Sequence, residues 1–291
     1  MNGLGTSGAV ALLVVAATWG AVVGALLPRA AYRFSVALPP RGADGAAGDD
    51  GAGADGAAGA GADGEEGSPV PGWRDRCPQG HPVRGWAGPA RCPRCAEDAG
   101  AGAGTRGRRG AYGPGGALFA GVTAGLCAVL GLATGPRPEL AVWLLLAPVG
   151  VLLAVVDLRV QRLPDPLTLP FAATALALLG VAALLPEHAG DWTTALLASL
   201  ALSAGYLVLH LVNPGGMGFG DVKLALGAGA VLGWYGWPTV MLGTFAGFLL
   251  GALYGGALLA ARKADRKTAI PFGPFLIAGA YVGLLLGAYT A

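Results

Sequence analysis

From residue 115 onward the chain is a succession of long apolar runs with short polar breaks, and one more such run stands near residue 8. A helix needs about 20 mostly apolar residues to cross a bilayer. Dividing the chain on that length gives eight runs, roughly 8–27, 115–134, 139–157, 166–185, 193–212, 221–235, 238–261 and 270–289. The sixth is short, and Trp234, Tyr235 and Trp237 form an interfacial aromatic cluster where it meets the seventh. No basic residue precedes the first run, while Pro28, Arg29 and Arg33 follow it, so it is expected to stay as a span rather than leave as a signal peptide. The pattern predicts an all-α membrane protein, a polytopic bundle of about eight transmembrane helices.

The long polar break, residues 28–114, has a different character. Residues 42–67 are almost wholly Gly, Ala, Asp and Glu, which cannot bury a core and are expected to be disordered. Residues 99–114 form a second Gly/Ala/Arg linker. Between them, residues 73–98 hold Cys77-Pro-Gln-Gly-His81 and Cys92-Pro-Arg-Cys95. Ligand types and spacing suit a tetrahedral zinc ion held by Cys77, His81, Cys92 and Cys95. Trp73, Val83 and Trp86 are the chief large apolar residues there, so metal would be the main source of order. The remaining cysteine, Cys127, lies inside an apolar run and is expected to be an ordinary buried thiol. The chain thus divides into a first helix (1–27), a loop with a zinc knuckle (28–114) and a seven-helix core (115–291).

Charge orients these spans. Of the 19 Lys and Arg residues, all but Arg137 fall on the side of the long loop and of the breaks at 158–165, 213–220 and 262–269. Arg159, Arg162, Arg262, Lys263, Arg266 and Lys267 carry the bias in the short breaks, which makes that side cytoplasmic and turns both termini outward. The apolar fraction is 54%, and 52 glycines suit close packing of membrane helices. A net charge of +2 gives no indication of nucleic-acid binding.

Against this background two acids stand out. Asp157 ends the third span and Asp221 begins the sixth, both at the cytoplasmic end. Ionisable groups in membrane segments are costly and mark functional sites by default. Two carboxylates brought together cannot both ionise easily, so they share a proton and can act as acid and base. Gly218 and Gly220 precede Asp221, giving backbone room to approach a substrate strand or to adopt positive φ. Asp165, after Pro164 and before Pro166, is expected to cap the fourth span. Lys223 can tune Asp221 or snorkel to lipid phosphate. Pro271 and Gly273 break the entry to the last span.

Three stretches carry a resemblance: Asp157 to Pro170 (DLRVQRLPDPLTLP), Gly216 to Gly227 (GMGFGDVKLALG) and Ile270 to Gly279 (IPFGPFLIAG). Trp19 to Arg33 adds a weaker match. Together they resemble the type IV prepilin peptidase family, membrane aspartyl proteases of the GxGD type. The resemblance implies that Asp157 and Asp221 are the catalytic pair and that Pro271 and Gly273 help shape the mouth of the site. It implies cleavage of a short basic leader, after a glycine, from pilin-like precursors at the cytoplasmic face of a bacterial inner membrane. Family members usually carry two C-x-x-C pairs, where this chain offers Cys77 and His81 in place of the first. Many members also methylate the new amino terminus with S-adenosylmethionine, but no site for that cofactor is legible here. Two other classes compete. A proton- or cation-coupled transporter would place the acids near the midplane and show an internal repeat, and a non-catalytic pilus or secretion assembly factor would tolerate loss of both aspartates.

Overall fold

The computed structural model describes residues 5–36, 73–98, 110–113, 115–262 and 270–291. The stretch 42–67, nearly all of the 99–114 linker, and Lys263, Arg266 and Lys267 lie outside the described residues. Every apolar run is helical. The helices are α1 (Thr6–Phe34), α2 (Pro93–Asp98), α3 (Gly116–Thr134), α4 (Glu139–Val160), α5 (Asp165–Ala182), α6 (Trp192–Val212), α7 (Phe219–Gly233), α8 (Trp237–Ala260) and α9 (Gly273–Thr290). Among the described residues there is no strand, only the isolated bridges Arg76–Pro82 and Arg91–Ala111.

Seven of these helices are long and apolar enough to cross a membrane; the exceptions are the six-residue α2 of the knuckle and α7. Its 15 residues span about 22 Å, short of the ~30 Å hydrocarbon core. The deficit is harmless because α7 is enclosed by protein: eleven of its residues are buried, against α5, α6, α8 and α9. Glycine makes the enclosure possible. A Cβ at Gly229 would stand 2.7 Å from the Ser199 Cα, and one at Gly233 would stand 2.8 Å from the Thr194 carbonyl oxygen. Helix backbones that close together need small residues at the contact.

Helices α6 and α7 run antiparallel, joined by side chains bonding to carbonyls. Ser199 Oγ donates to Leu226 O at 2.7 Å and Ser203 Oγ to Val222 O at 2.9 Å. His210 Nδ1 contacts Met217 O at 2.8 Å just ahead of the start of α7.

Helix α1 is longer than the apolar pattern predicts, continuing through Pro28 to Phe34. Proline disrupts the turn around it and frees backbone groups. Here Gly88 of the knuckle takes them: the Arg29 N–H donates to Gly88 O at 3.0 Å, and the Gly88 N–H donates to Leu26 O at 2.8 Å. Gly20 and Gly24 of α1 meet the backbone of α3 at Thr123 and Phe119. Local contacts mark the two ends of the bundle. At one end lie the knuckle, the end of α4 and the starts of α5, α7 and α9. At the other, the Ala189 N–H meets Glu139 Oε1, the Asp191 N–H meets Trp234 O, and Arg137 Nη1 meets Ala288 O.

Candidate functional site

At the knuckle end, three chain segments converge. Helix α4 stops when Gln161 adopts the left-handed conformation (φ 51°) and its N–H bonds back to Asp157 O. That turn leaves Asp157 on the last helical turn, 4% exposed. Helix α9 begins at Gly273, whose N–H donates to Asp157 Oδ2 at 3.0 Å. A free N–H at a helix start is a natural partner for a carboxylate. Helix α7 begins after Gly218, and Asp221, 6% exposed, turns its Oδ2 back to the Gly218 N–H at 3.2 Å. Gly218 has no side chain to reciprocate, so only the acidic half of a capping box is present.

Leu163 ties these pieces together. It packs so closely on α7 that a Cβ at Gly220 would stand 2.9 Å from the Leu163 Cβ, and its Cδ1 would lie 3.4 Å from a Cβ at Gly273. The two carboxylates thus project from separate helix ends on either side of one leucine, and Asp157 lies within electrostatic reach of Asp221. Neither Gly218 nor Gly220 has positive φ. The requirement at Gly220 is space, and the group it admits is Leu163.

Asp165 and Lys223 stand apart from this pair. Pro164, not Asp165, occupies the N-cap of α5, and no side chain caps that helix. The capping expectation for Asp165 is therefore corrected. A proline N-cap sets the extended backbone, and Asp165, as the first helical residue, turns outward to pair with Lys223 Nζ at 2.5 Å. The Asp165 side chain is 59% exposed, so the pair ties α5 to α7 at the rim. Lys223 also lies 4.9 Å from the centre of the Phe219 ring. Pro271 sits just ahead of α9, where Phe272 is the N-cap.

In the knuckle, Cys77, His81, Cys92 and Cys95 each turn one donor atom to a common point, all within 4.8 Å of one another. His81 Nδ1 lies 3.8, 3.7 and 3.2 Å from the sulfurs of Cys77, Cys92 and Cys95, and Cys77 and Cys95 sulfurs are 3.6 Å apart. Zinc bonds of about 2.3 Å to sulfur and 2.0 Å to nitrogen require tetrahedral edges of roughly 3.5–3.8 Å. These residues fit that ion. Burial opposes ionisation of Cys77, but the N–H groups of Gln79 and His81 and the neighbouring Cys95 and Cys92 bring its thiol down to about 7. A thiol that ionises near neutrality is a ready metal ligand.

Several supporting residues have roles that the sequence did not single out. Leu163 is one. On α1, Arg29 donates to the carbonyls of Arg84 and Pro89, Arg33 to that of Gly85, and Tyr32 to that of Arg76, so this helix end is the platform for the knuckle. Arg33 also stacks 3.9 Å from the Trp86 ring centre. Glu139, at the other end, is fully buried. The only sequence cue to it was an acid opening an otherwise apolar run.

The fold and site define a multi-pass helical membrane protein with two buried aspartates at one end and a cysteine–histidine knuckle beside them. Residues 140–256 match the model of the type IV leader peptidase family, which bears out the resemblance over that part of the chain. Asp157, Asp165, Gly218, Gly220, Asp221 and Lys223 lie inside the match, whereas the knuckle and Gly273 lie outside it. Among curated proteins, the chain is similar to a prepilin leader peptidase/N-methyltransferase of Aeromonas salmonicida (strain A449), 36% identical over 174 residues, covering 57% of this chain and 56% of that one. The protein of the same name from Aeromonas hydrophila is 39% identical over 154 residues (50% and 49%). That from Bacillus subtilis (strain 168) is 31% identical over 171 residues (57% and 64%). The chain spans roughly half to two thirds of the length of these relatives. No solved structure matches.

Proposed function

We propose that this protein is a prepilin-type leader peptidase, a membrane aspartic endopeptidase that removes the short basic leader from pilin-like precursors. The observation that carries the reading is the pair of buried carboxylates, Asp157 and Asp221, held at one end of the bundle by backbone N–H groups at the starts of α9 and α7. Helix ends, unlike the midplane a transporter would use, are where a cytoplasmic leader meets its apolar segment. The basic residues of the breaks support a cytoplasmic position for that end, and the reading sets it in a bacterial inner membrane.

The chemistry follows from the carboxylates. One, ionised, takes a proton from water as it adds to the scissile carbonyl; the other, protonated, gives its proton to the leaving nitrogen as the C–N bond breaks. Two neighbouring carboxyls sharing one proton supply both roles from one residue type. Gly273 and Gly218 fix the orientation of each carboxylate without competing side chains. Cys77, His81, Cys92 and Cys95 would hold a structural zinc, which would supply the folding energy that the small knuckle lacks. The relatives' names add an N-methyltransferase.

The test is cleavage in membranes. A pilin-like precursor from the same source is co-expressed with wild type, Asp157→Asn, Asp221→Asn and Asp165→Asn, and leader removal is scored by gel shift and amino-terminal mass. Loss of cleavage in the first two with retention in Asp165→Asn is the expected result. Normal cleavage by either of the first two removes that residue from the pair. The same mass reports whether the new terminus is methylated.

A further inference from the structure

The ladder between α6 and α7 has a member that does not bond. Ser199 reaches Leu226 O, and four residues later Ser203 reaches Val222 O, four residues earlier on α7. Continuing that register brings Tyr206 level with Phe219, two residues from Asp221. His210, the next on this face of α6, again reaches a carbonyl, that of Met217. Tyr206 between them is 2% exposed, yet its hydroxyl has no hydrogen-bond partner among the described residues. A buried hydroxyl left unpaired is destabilising, so such groups call for an explanation.

The surroundings of Tyr206 are built to hold its ring still. Phe248 of α8 stacks on it with centroids 5.8 Å apart, and Phe272, the N-cap of α9, lies at 6.0 Å. Phe272 is followed by Gly273, whose N–H holds Asp157. Asp221 is within electrostatic reach of the hydroxyl. The ring also lines a groove of about 260 Å³ between α6 and α8, with Gly205, Leu209, Trp237, Thr244 and Phe248. Both helices are long and apolar enough to span the membrane and touch each other sparingly, so the groove faces the side of the bundle. A rigid, unpaired donor within reach of the Asp221 carboxylate is what a developing oxyanion requires.

The geometry points to Tyr206 as a third catalytic residue, the donor that receives the carbonyl oxygen of the scissile peptide. This rests on the peptidase reading above. When water adds to the carbonyl carbon, the C=O electron pair moves onto oxygen, and the phenol O–H hydrogen-bonds to that oxygen while keeping its proton. The pair returns as the C–N bond breaks, with the leaving nitrogen protonated by the aspartate pair. Substrate supplies the partner the hydroxyl lacks in the free enzyme.

The experiment uses the full-length protein purified in detergent, a purified full-length precursor, and wild type, Asp221→Asn, Tyr206→Phe and Ser203→Ala. Phenylalanine keeps the ring packing and deletes only an unpaired hydroxyl, so a structural role predicts unchanged or higher thermal stability and unchanged turnover. The expected result is unchanged stability, kcat lower by about 100-fold and KM within about twofold, the signature of a donor acting on the transition state. Ser203→Ala, which deletes a made bond to Val222 O, is expected to lose stability, the mark of a structural bond in this ladder. Turnover by Tyr206→Phe within twofold of wild type overturns the assignment while leaving the aspartate pair intact, if Asp221→Asn is inactive. A fall in thermal stability that accompanies the loss of turnover assigns Tyr206 to packing and also overturns it. Cleavage by Asp221→Asn at the wild-type rate removes Asp221 from the catalytic pair, and this inference with it, whereas a wild type that leaves the precursor uncut overturns the peptidase reading itself.

Discussion

A methyl group at position 273 has no room. A Cβ there would stand 2.7 Å from Asp157 Oδ2 and 3.4 Å from Leu163 Cδ1, so one of them must move. The carboxylate is at the end of α4, where the chain turns at Gln161, and is the freer of the two. Gly273→Ala is therefore expected to displace Asp157 while leaving α9 intact, since alanine suits a first helical turn. A misplacement of about 1 Å costs about 100-fold in rate. Initial cleavage rates set beside thermal stability check this, and a variant that cuts normally would show that Asp157 does not need the Gly273 N–H. At the opposite end, Asp191 gives a residue-scale prediction independent of the chemistry. It caps α6, accepting from the Thr194 N–H at 2.6 Å, with the hydroxyls of Thr193 and Thr194 on the same oxygen. Those donors hold its carboxyl below the usual value of 3.8. A lowered pKa means the stabilisation is complete above the ordinary carboxylate range and is lost as pH falls through the lowered value. Asp191→Ala is expected to cost about 1 kcal/mol near neutrality, with the gap to wild type closing in acid. Thermal unfolding in detergent across that pH range is the measurement.

At the scale of elements, α1 and the knuckle act together. Proline at position 28 reads as the end of a span, because it follows a run of apolar length and precedes Arg29 and Arg33. The helix continues because Gly88 satisfies the backbone groups that the proline frees. That partner is sixty residues away in the sequence, and no local pattern announces it. The candidate metal ligands were legible because a metal needs donor types at short spacing, and Cys77, His81, Cys92 and Cys95 do converge. The aspartates were legible as costly charges in apolar segments, although the residues that hold them, Gly273 and Leu163, become visible only once α9 and the 161–164 turn are brought to α4. Asp165 was misread because a proline on each side suggested a cap, while its real partner, Lys223, lies on another helix. Cys92→Ser is expected to remove bound zinc, measured as metal per chain. Arg29→Ala is expected to keep zinc and still expose residues 73–98 to protease, since Arg29 anchors the knuckle through the carbonyls of Arg84 and Pro89. Metal loss in Arg29→Ala would show that docking and metal binding are a single event.

For the whole molecule, α7 is the strut on which the rest is assembled. It is too short to span a bilayer alone, and it is the helix that brings Asp221 to the site. Its register against α6 therefore fixes Asp221 and Tyr206 at once. Two glycines on it allow stability and site geometry to be separated. A Cβ at Gly229 would press on the Ala198 carbonyl oxygen and the Ser199 Cα, beside the Ser199–Leu226 bond. At Gly233, one turn farther from Asp221, it would press on Ala198 Cβ and Thr194 O. Overpacking of this kind costs about 1–3 kcal/mol wherever it occurs. Gly229→Ala and Gly233→Ala are thus expected to lower thermal stability by similar amounts. Gly229→Ala, by prying the ladder apart nearer the aspartates, should also lower cleavage per folded molecule, whereas Gly233→Ala should preserve it. Equal loss of cleavage in both would mean that α7 moves as one rigid body and that no part of its contact with α6 is remote from the chemistry.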